Sequence, residues 1–208
     1  MNRFLLIDDH FVVRAGLKLI ITGLVNPCEI DEAENGNSAM AQLKEKEYDV
    51  AILDIKMPNT NTLDLMQIIK DKYPNLKVLI FSMNSESIYA RRFIKAGAKG
   101  FVNKDAPLED LKKAILLVLS GKKYISDTML ELLADFSSSS EVENLFNSLS
   151  PREFEIVSLL LKGEGVSHIA TSLNLQVSTI GTHKARIFEK LKVTNMMELK
   201  EMAATYSL

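Results

Sequence analysis

Phe4-Leu5-Leu6-Ile7-Asp8-Asp9 and Val50-Ala51-Ile52-Leu53-Asp54 share one construction, four consecutive apolar residues that end abruptly in carboxylates. Neither run alternates polar with apolar positions. A strand built from either is therefore covered on both faces, as in a parallel sheet between two layers of helices. Three more short β-type runs, residues 28–33, 78–81 and 100–102, recur along the first 120 residues. Between them apolar residues return at helical intervals, for example Leu63, Met66 and Ile69 with Leu65 and Ile68 on the same side. Five β-α units follow, giving an α/β fold with a doubly wound, five-stranded parallel sheet. Sheets of this kind carry their sites at the carboxyl ends of the strands.

That rule selects a few residues. Asp8 and Asp9 follow the first strand, Asp54 the third, Ser82 the fourth and Lys104 the fifth. Singly, a carboxylate after a strand is most simply a helix cap or a turn former. Together, on neighbouring first and third strands, three carboxylates repel one another unless a cation sits among them, and oxygen-only ligation at a small site suits magnesium. A nucleophilic carboxylate, a divalent ion, a hydroxyl and an ammonium are what phosphoryl transfer requires, because its charge spreads over three oxygens.

Four stretches carry a likeness to a known family: Leu6-Ile7-Asp8-Asp9-His10, Leu53-Asp54-Ile55-Lys56-Met57-Pro58, Phe81-Ser82-Met83, and Lys95-Ala96-Gly97-Ala98-Lys99-Gly100-Phe101 leading to Lys104-Asp105-Ala106. Over residues 1–120 the chain resembles the response-regulator receivers, whose fold is flavodoxin-like. The resemblance implies that Asp54 accepts phosphate from a histidine kinase. It also implies that Asp8, Asp9, Asp54 and the backbone carbonyl of Lys56 hold Mg2+, and that Ser82 and Lys104 contact the phosphoryl oxygens. Ser82 and Phe101 are then the switch pair: the phosphate draws in the hydroxyl, and Phe101 turns inward. Read alone, Phe101 is equally an ordinary strand aromatic. Where the family places glycines after the proline, this chain has Asn59-Thr60-Asn61-Thr62, and asparagine tolerates the left-handed geometry such a loop needs.

Residues 121–147 read as a linker with a helical stretch near 129–134 and a run of four serines, Ser137 to Ser140. Beyond it, from 148 to 208, Ser150-Pro151 with Glu153 opens a capped helix, and four helices fit at roughly 151–162, 166–172, 177–191 and 196–205. The motifs Leu149-Ser150-Pro151-Arg152-Glu153, Ile169-Ala170, and Ser178-Thr179-Ile180 with His183, Ile187, Lys190 and Leu191 make this part similar to the LuxR-type helix-turn-helix domain of NarL/FixJ regulators. Helical geometry turns Ile180, Ile187, Phe188 and Leu191 inward, and turns Thr182, Ala185, Arg186 and Glu189 outward. The DNA contacts expected are Arg186 to guanine edges, Ser178, Thr179 and Thr182 to bases or phosphates, and Lys184 and Lys190 to phosphates, with His183 among them. The chain departs from that family at Gly181, Arg186 and His168. From residue 148 onward there are seven Lys or Arg against six Asp or Glu. So small an excess favours dimers on paired half-sites of double-stranded DNA, the family's usual solution.

Bulk composition excludes several classes. With 25 Lys+Arg, 27 Asp+Glu and a net charge of -2 in 208 residues, the chain is no general polyanion binder, so nucleic-acid contact must come from a local patch. Cys28 is the sole cysteine, which rules out an intrachain disulfide and multi-thiolate zinc motifs. No apolar run is long enough to span a bilayer, and the expected location is the cytoplasm. A hydrolase of the haloacid-dehalogenase type would need a second aspartate two residues after the nucleophile, where this chain has Lys56, so no enzyme is expected. The rival reading is a phosphorylation-controlled module whose helical part binds protein instead of DNA.

Overall fold

The computed structural model describes residues 1–58, 60–84, 86–126, 130 and 145–205. The chain divides into two compact units, Met1–Ser138 and Ser139–Leu208. The serine run and the helical stretch near 129–134, apart from residue 130, lie outside the described residues.

In the first unit the elements alternate: β1 (Asn2–Ile7), α1 (Phe11–Leu24), β2 (Cys28–Ala33), α2 (Gly36–Glu45), β3 (Val50–Leu53), α3 (Thr62–Lys72), β4 (Lys77–Ser82), α4 (Glu86–Lys95), β5 (Gly100–Asn103) and α5 (Leu108–Leu119). All strand pairings are parallel, in the order β2-β1-β3-β4-β5. The unbroken apolar runs have the meaning that their two-residue period requires. Leu5, Ile7, Ala51, Leu53, Val78, Ile80 and Phe101 pack on one face with Leu43, Met66, Ile69 and Phe93. The alternate residues Phe4, Leu6, Val50, Ile52, Leu79, Phe81 and Val102 pack on the other with Leu17, Ile21, Leu111 and Ile115. Both faces are closed, and the loops at the carboxyl ends are left to form a site.

The first unit also takes in residues that read as linker in the sequence. Past α5 the chain returns to β5, where the Tyr124 amide donates to the Lys99 carbonyl at 2.8 Å and the Tyr124 ring is buried. Gly100 permits this approach. A Cβ there would lie 2.9 Å from Tyr124 Cβ, 3.1 Å from Leu79 Cδ1 and 3.2 Å from the Tyr124 carbonyl oxygen. Gly100→Ala should therefore destabilise the first unit by about 1–3 kcal/mol through overpacking. The measurement is thermal denaturation, with a downward shift of several degrees expected; an unchanged midpoint would mean that residues 122–126 move aside without cost.

The second unit begins with a 3-10 turn (Leu145–Ser148), followed by α6 (Pro151–Leu161), α7 (Val166–Ser172), α8 (Val177–Leu191) and α9 (Met196–Thr205). Ser150 and Glu153 form the expected capping box, with Pro151 in the first turn. Ile180, Ile187 and Leu191 of α8 are buried along with Val157, Leu160 and Ile169. Phe188 and Leu173 are only half-buried.

Candidate functional site

The sheet order brings the acidic residues together. Because β1 and β3 are neighbours with Ile7 opposite Leu53, the residues that follow them emerge side by side, and the Asp54 amide donates to the Ile7 carbonyl at 2.9 Å. On the other side of β3, Ser82 ends β4 opposite Asn103, and the Lys104 amide donates to the Ser82 carbonyl at 3.0 Å. One backbone rule, strands ending in register, thus delivers five functional side chains from four strands to one edge.

Asp54 is buried, and its two carboxylate oxygens have different partners. Ser82 Oγ donates to Oδ1 at 2.5 Å, while Lys104 Nζ donates to Oδ2 at 2.8 Å. The same ammonium reaches Asp8 Oδ2 at 2.7 Å. Lys104 is therefore a cation already seated between two buried carboxylates. Its single positive charge offsets one of the three negative charges gathered at this edge, and Asp9 is not among its partners. Burial by itself would pull the lysine pKa down, but the hydrogen bonds to Asp54 and Asp8 outweigh it and hold the group above its ordinary value. The ammonium persists throughout the neutral range. Phe101 is buried at 2% exposure, facing α4 with Phe93 and Ala90, so its ring lies inward.

The case for a divalent ion rests on a different atom. Asp9 Oδ1 is buried and accepts no hydrogen bond, in a group where Asp8, Asp9, His10 and Asp54 each offer a ligand atom within 4.8 Å of the others. A carboxylate oxygen shielded from water, with capacity left beyond its 2.9 Å contact to His10 Nδ1, is what a hard cation takes, and the oxygens of Asp8, Asp9 and Asp54 fit magnesium. Lys56 is exposed on the loop after Asp54, with its amide 3.4 Å from Asp54 Oδ1.

Three residues at this edge escaped the sequence reading. Arg14 donates to the Asp8 carbonyl at 2.6 Å and to Glu32 Oε2 at 2.9 Å, pinning the β1–α1 loop to the end of β2. No local signal marks it, because Glu32 is brought close only by strand pairing. His10 Nδ1 lies 3.2 Å from Asp8 Oδ1 and 2.9 Å from Asp9 Oδ1; its adjacency to the two aspartates was the available signal. Thr62, also buried, donates to the Ile55 carbonyl at 2.6 Å and holds the loop after Asp54. That loop does not use left-handed asparagine at Asn61, which has φ -83° and caps α3 instead. Thr60 Oγ1 accepts from the Gly36 amide at 2.9 Å, so hydroxyls replace backbone freedom in fixing it; Asn59 lies outside the described residues.

The second unit presents α8. Ser178, Thr182 and Arg186 are exposed, and Thr179, His183 and Lys184 are half-buried. Arg186 has no ion pair among the described residues. The Thr182 hydroxyl donates back to the Ser178 carbonyl at 3.1 Å, leaving its lone pairs open. Lys184 Nζ stands 5.3 Å over the Phe188 ring. His183 Nδ1 is buried without a hydrogen bond, in a residue that is half-buried as a whole.

Lys190, expected among the phosphate contacts, is paired within its own unit. Its ammonium is 2.7 Å from Glu153 Oε2, tying α8 to the capping box of α6. Burial would raise the Glu153 pKa, but the hydrogen bonds from Lys190 and Ser150 outweigh that and lower it. A depressed folded pKa means that this contribution to stability is present above the ordinary glutamate value and is lost as pH falls through the folded one. Lys190→Met should cost about 1–2 kcal/mol at neutral pH, below the range for a fully buried pair because the lysine side chain is 40% exposed. Denaturant unfolding at pH 7 and pH 4 measures it. The difference between Lys190→Met and the parent should shrink at the lower pH; an equal loss at both would assign Lys190 a role other than the pair.

Two family models match the chain: the response regulator receiver domain over residues 4–116 and the bacterial regulatory proteins of the luxR family over residues 147–203. The response regulator GacA of Pseudomonas viridiflava is 31% identical over 209 residues, covering 100% of this chain and 98% of the relative. The solved structure of RcsB from Salmonella enterica serovar Typhimurium, bound to promoter DNA in the presence of the phosphomimetic BeF3-, matches with a TM-score of 0.60 at 25% identity and covers 97% of each chain. A structure of two RcsB dimers on two parallel DNAs matches at 26% identity with a TM-score of 0.62, covering 98% of each chain.

Proposed function

Because the chain belongs to the two-component response regulators, with a receiver domain followed by a LuxR-family DNA-binding domain, we propose that phosphorylation of Asp54 by a histidine kinase controls its binding to DNA. The observation that supports this most directly is the convergence on one buried carboxylate of a hydroxyl at 2.5 Å and an ammonium at 2.8 Å.

In the transfer an Asp54 oxygen forms the new P–O bond as the P–N bond of the kinase phosphohistidine breaks. Lys104, which bridges Asp8 and Asp54, follows the charge onto the phosphoryl oxygens, and the Ser82 hydroxyl turns from carboxylate to phosphate. Asp8, Asp9, Asp54 and the Lys56 carbonyl would hold Mg2+, which when bound neutralises the phosphoryl oxygens. Phe101, whose ring is already buried against Ala90 and Phe93 of α4, couples the acidic edge to that helix.

In the second unit α8 is the helix proposed to enter the major groove, with Arg186 as its base-reading residue and Ser178, Thr179, Thr182, His183 and Lys184 as supporting contacts. With Lys190 engaged by Glu153, the positive surface of one copy is small, and a homodimer on paired half-sites supplies the missing affinity. Among the described residues no helix is long and apolar enough to cross a membrane. The proposed site of action is the cytoplasm, and the proposed chemistry is limited to gain and loss of phosphate on Asp54.

Selection of bound duplexes from a random DNA pool, with Mg2+ and with or without beryllofluoride, tests the reading. A two-fold symmetric site enriched only with the mimic is the expected result. Uptake of the mimic with no enriched sequence would transfer the output to a protein partner of the second unit.

A further inference from the structure

Resting on the proposed phosphorylation of Asp54, we propose that Asn103 is a positioning residue for it: its side-chain amide clasps the loop after β4 to the loop after β5 and so aims the Ser82 hydroxyl at the acceptor. Asn103 ends β5 opposite Ser82, the last residue of β4. By the two-residue period of a strand it shares the sheet face of Phe101, which packs with Ala90 and Phe93 of α4. Both polar atoms of its side chain are spent. Oδ1 accepts from the Asp105 amide at 2.8 Å, an ordinary turn contact. Nδ2 donates to the Asn84 carbonyl at 3.2 Å, across 19 residues of chain, and no turn requires that bond. Because a backbone amide only donates and a carbonyl only accepts, these two partners fix which way round the Asn103 side chain stands.

The clasp reaches Asp54 through Asn84. Held by its carbonyl, Asn84 donates from Nδ2 to Ser82 Oγ at 3.3 Å, and Ser82 Oγ donates in turn to Asp54 Oδ1 at 2.5 Å. A serine hydroxyl has one hydrogen and two lone pairs. With the Asn84 hydrogen on one lone pair, the hydrogen of Ser82 is left for the acceptor. During transfer the charge spreads over three phosphoryl oxygens. Lys104 meets it with an ammonium that Asp8 and Asp54 already hold, whereas Ser82 depends on its neighbours for its aim. Asn103 thus acts through the hydroxyl and not through the ammonium next to it in the chain.

The test is the rate of phosphate uptake by the full-length chain from a small phosphoramidate donor in Mg2+, over a range of donor concentrations, for the parent, Asn103→Ala, Ser82→Ala and the double variant. Ser82→Ala retains Asp54 and Lys104 and so a slower but measurable uptake. Asn103→Leu, close to asparagine in volume, is the second variant in case alanine loosens the loop, and thermal denaturation checks that each protein is folded. The maximal rate is expected to fall about threefold to tenfold in Asn103→Ala, the range of one neutral hydrogen bond, with the half-saturating donor concentration changed less than about twofold. In the Ser82→Ala background the same substitution should change the rate less than about twofold, because the hydroxyl that Asn103 aims is gone. An equal loss in both backgrounds would overturn the proposal and make Asn103 a support of the loop or of Lys104. An undiminished rate in folded Asn103→Ala or Asn103→Leu would overturn it as well, leaving the Asp54 reading intact. A parent that takes up neither phosphate nor beryllofluoride would remove the Asp54 reading itself, and this inference with it.

Discussion

Asp54→Asn is expected to abolish phosphate uptake, with incorporation from a small phosphoramidate donor falling by about 100-fold or more, because a neutral amide is too weak a nucleophile for the transfer. The geometry makes this substitution selective. Asparagine is close in shape, its carbonyl oxygen still accepts the Ser82 hydrogen bond, and Lys104 retains its 2.7 Å contact with Asp8. Folding should survive, since Lys104 loses one of two partners and no buried charge is left alone. Phosphate-affinity electrophoresis in Mg2+ measures uptake, and thermal denaturation checks integrity. DNA affinity in the presence of donor should then equal that without it. Undiminished incorporation into a folded Asp54→Asn protein would move the acceptor elsewhere, to Asp8 or Asp9 first.

The second large effect is expected at Arg186. It stands exposed on α8, and its neighbours Lys184 and Lys190 are both engaged, one over the Phe188 ring and one with Glu153. In the proposed mode of binding, much of the recognition therefore falls on a single guanidinium. Arg186→Ala should weaken binding to the selected site by about 1–3 kcal/mol, or about 5–150-fold, and relax preference at the base pair it reads. Arg186→Lys separates the two contributions, because lysine keeps the charge and loses the planar fork. Fluorescence anisotropy across a salt series distinguishes the outcomes. A uniform loss over all sequences, with the salt slope reduced by about one, would make Arg186 a phosphate contact and shift base reading to Ser178, Thr179 or Thr182.

The acidic edge was legible in the sequence because its residues sit next to strands whose character is local. Four apolar residues in a row announce a strand closed on both faces, and the residue after it must emerge at the edge. Asp8, Asp9, Asp54, Ser82 and Lys104 all follow this rule. The helices of the second unit were legible for a similar reason, since the Ser150-Pro151 cap with Glu153 and the spacing of Ile180, Ile187 and Leu191 are properties of a single helix.

What the sequence could not reveal was how charges pair across elements. Lys190 read as a surface cation, and only the packing of α8 on α6 put it 2.7 Å from the buried Glu153. Arg14 carried no signal because its partner Glu32 lies on another strand. Residues 122–126 read as linker, yet the absence of a side chain at Gly100 lets them lie on β5. The sequence by itself determined the two-part architecture, the sheet and the set of acidic, hydroxyl and ammonium groups at its edge, because periodicity and adjacency along the chain are enough to define them. Tertiary structure alone decided which oxygen of Asp54 faces Ser82 and which faces Lys104, and which cations of α8 stay available, because such pairings depend on distances between segments far apart in the chain.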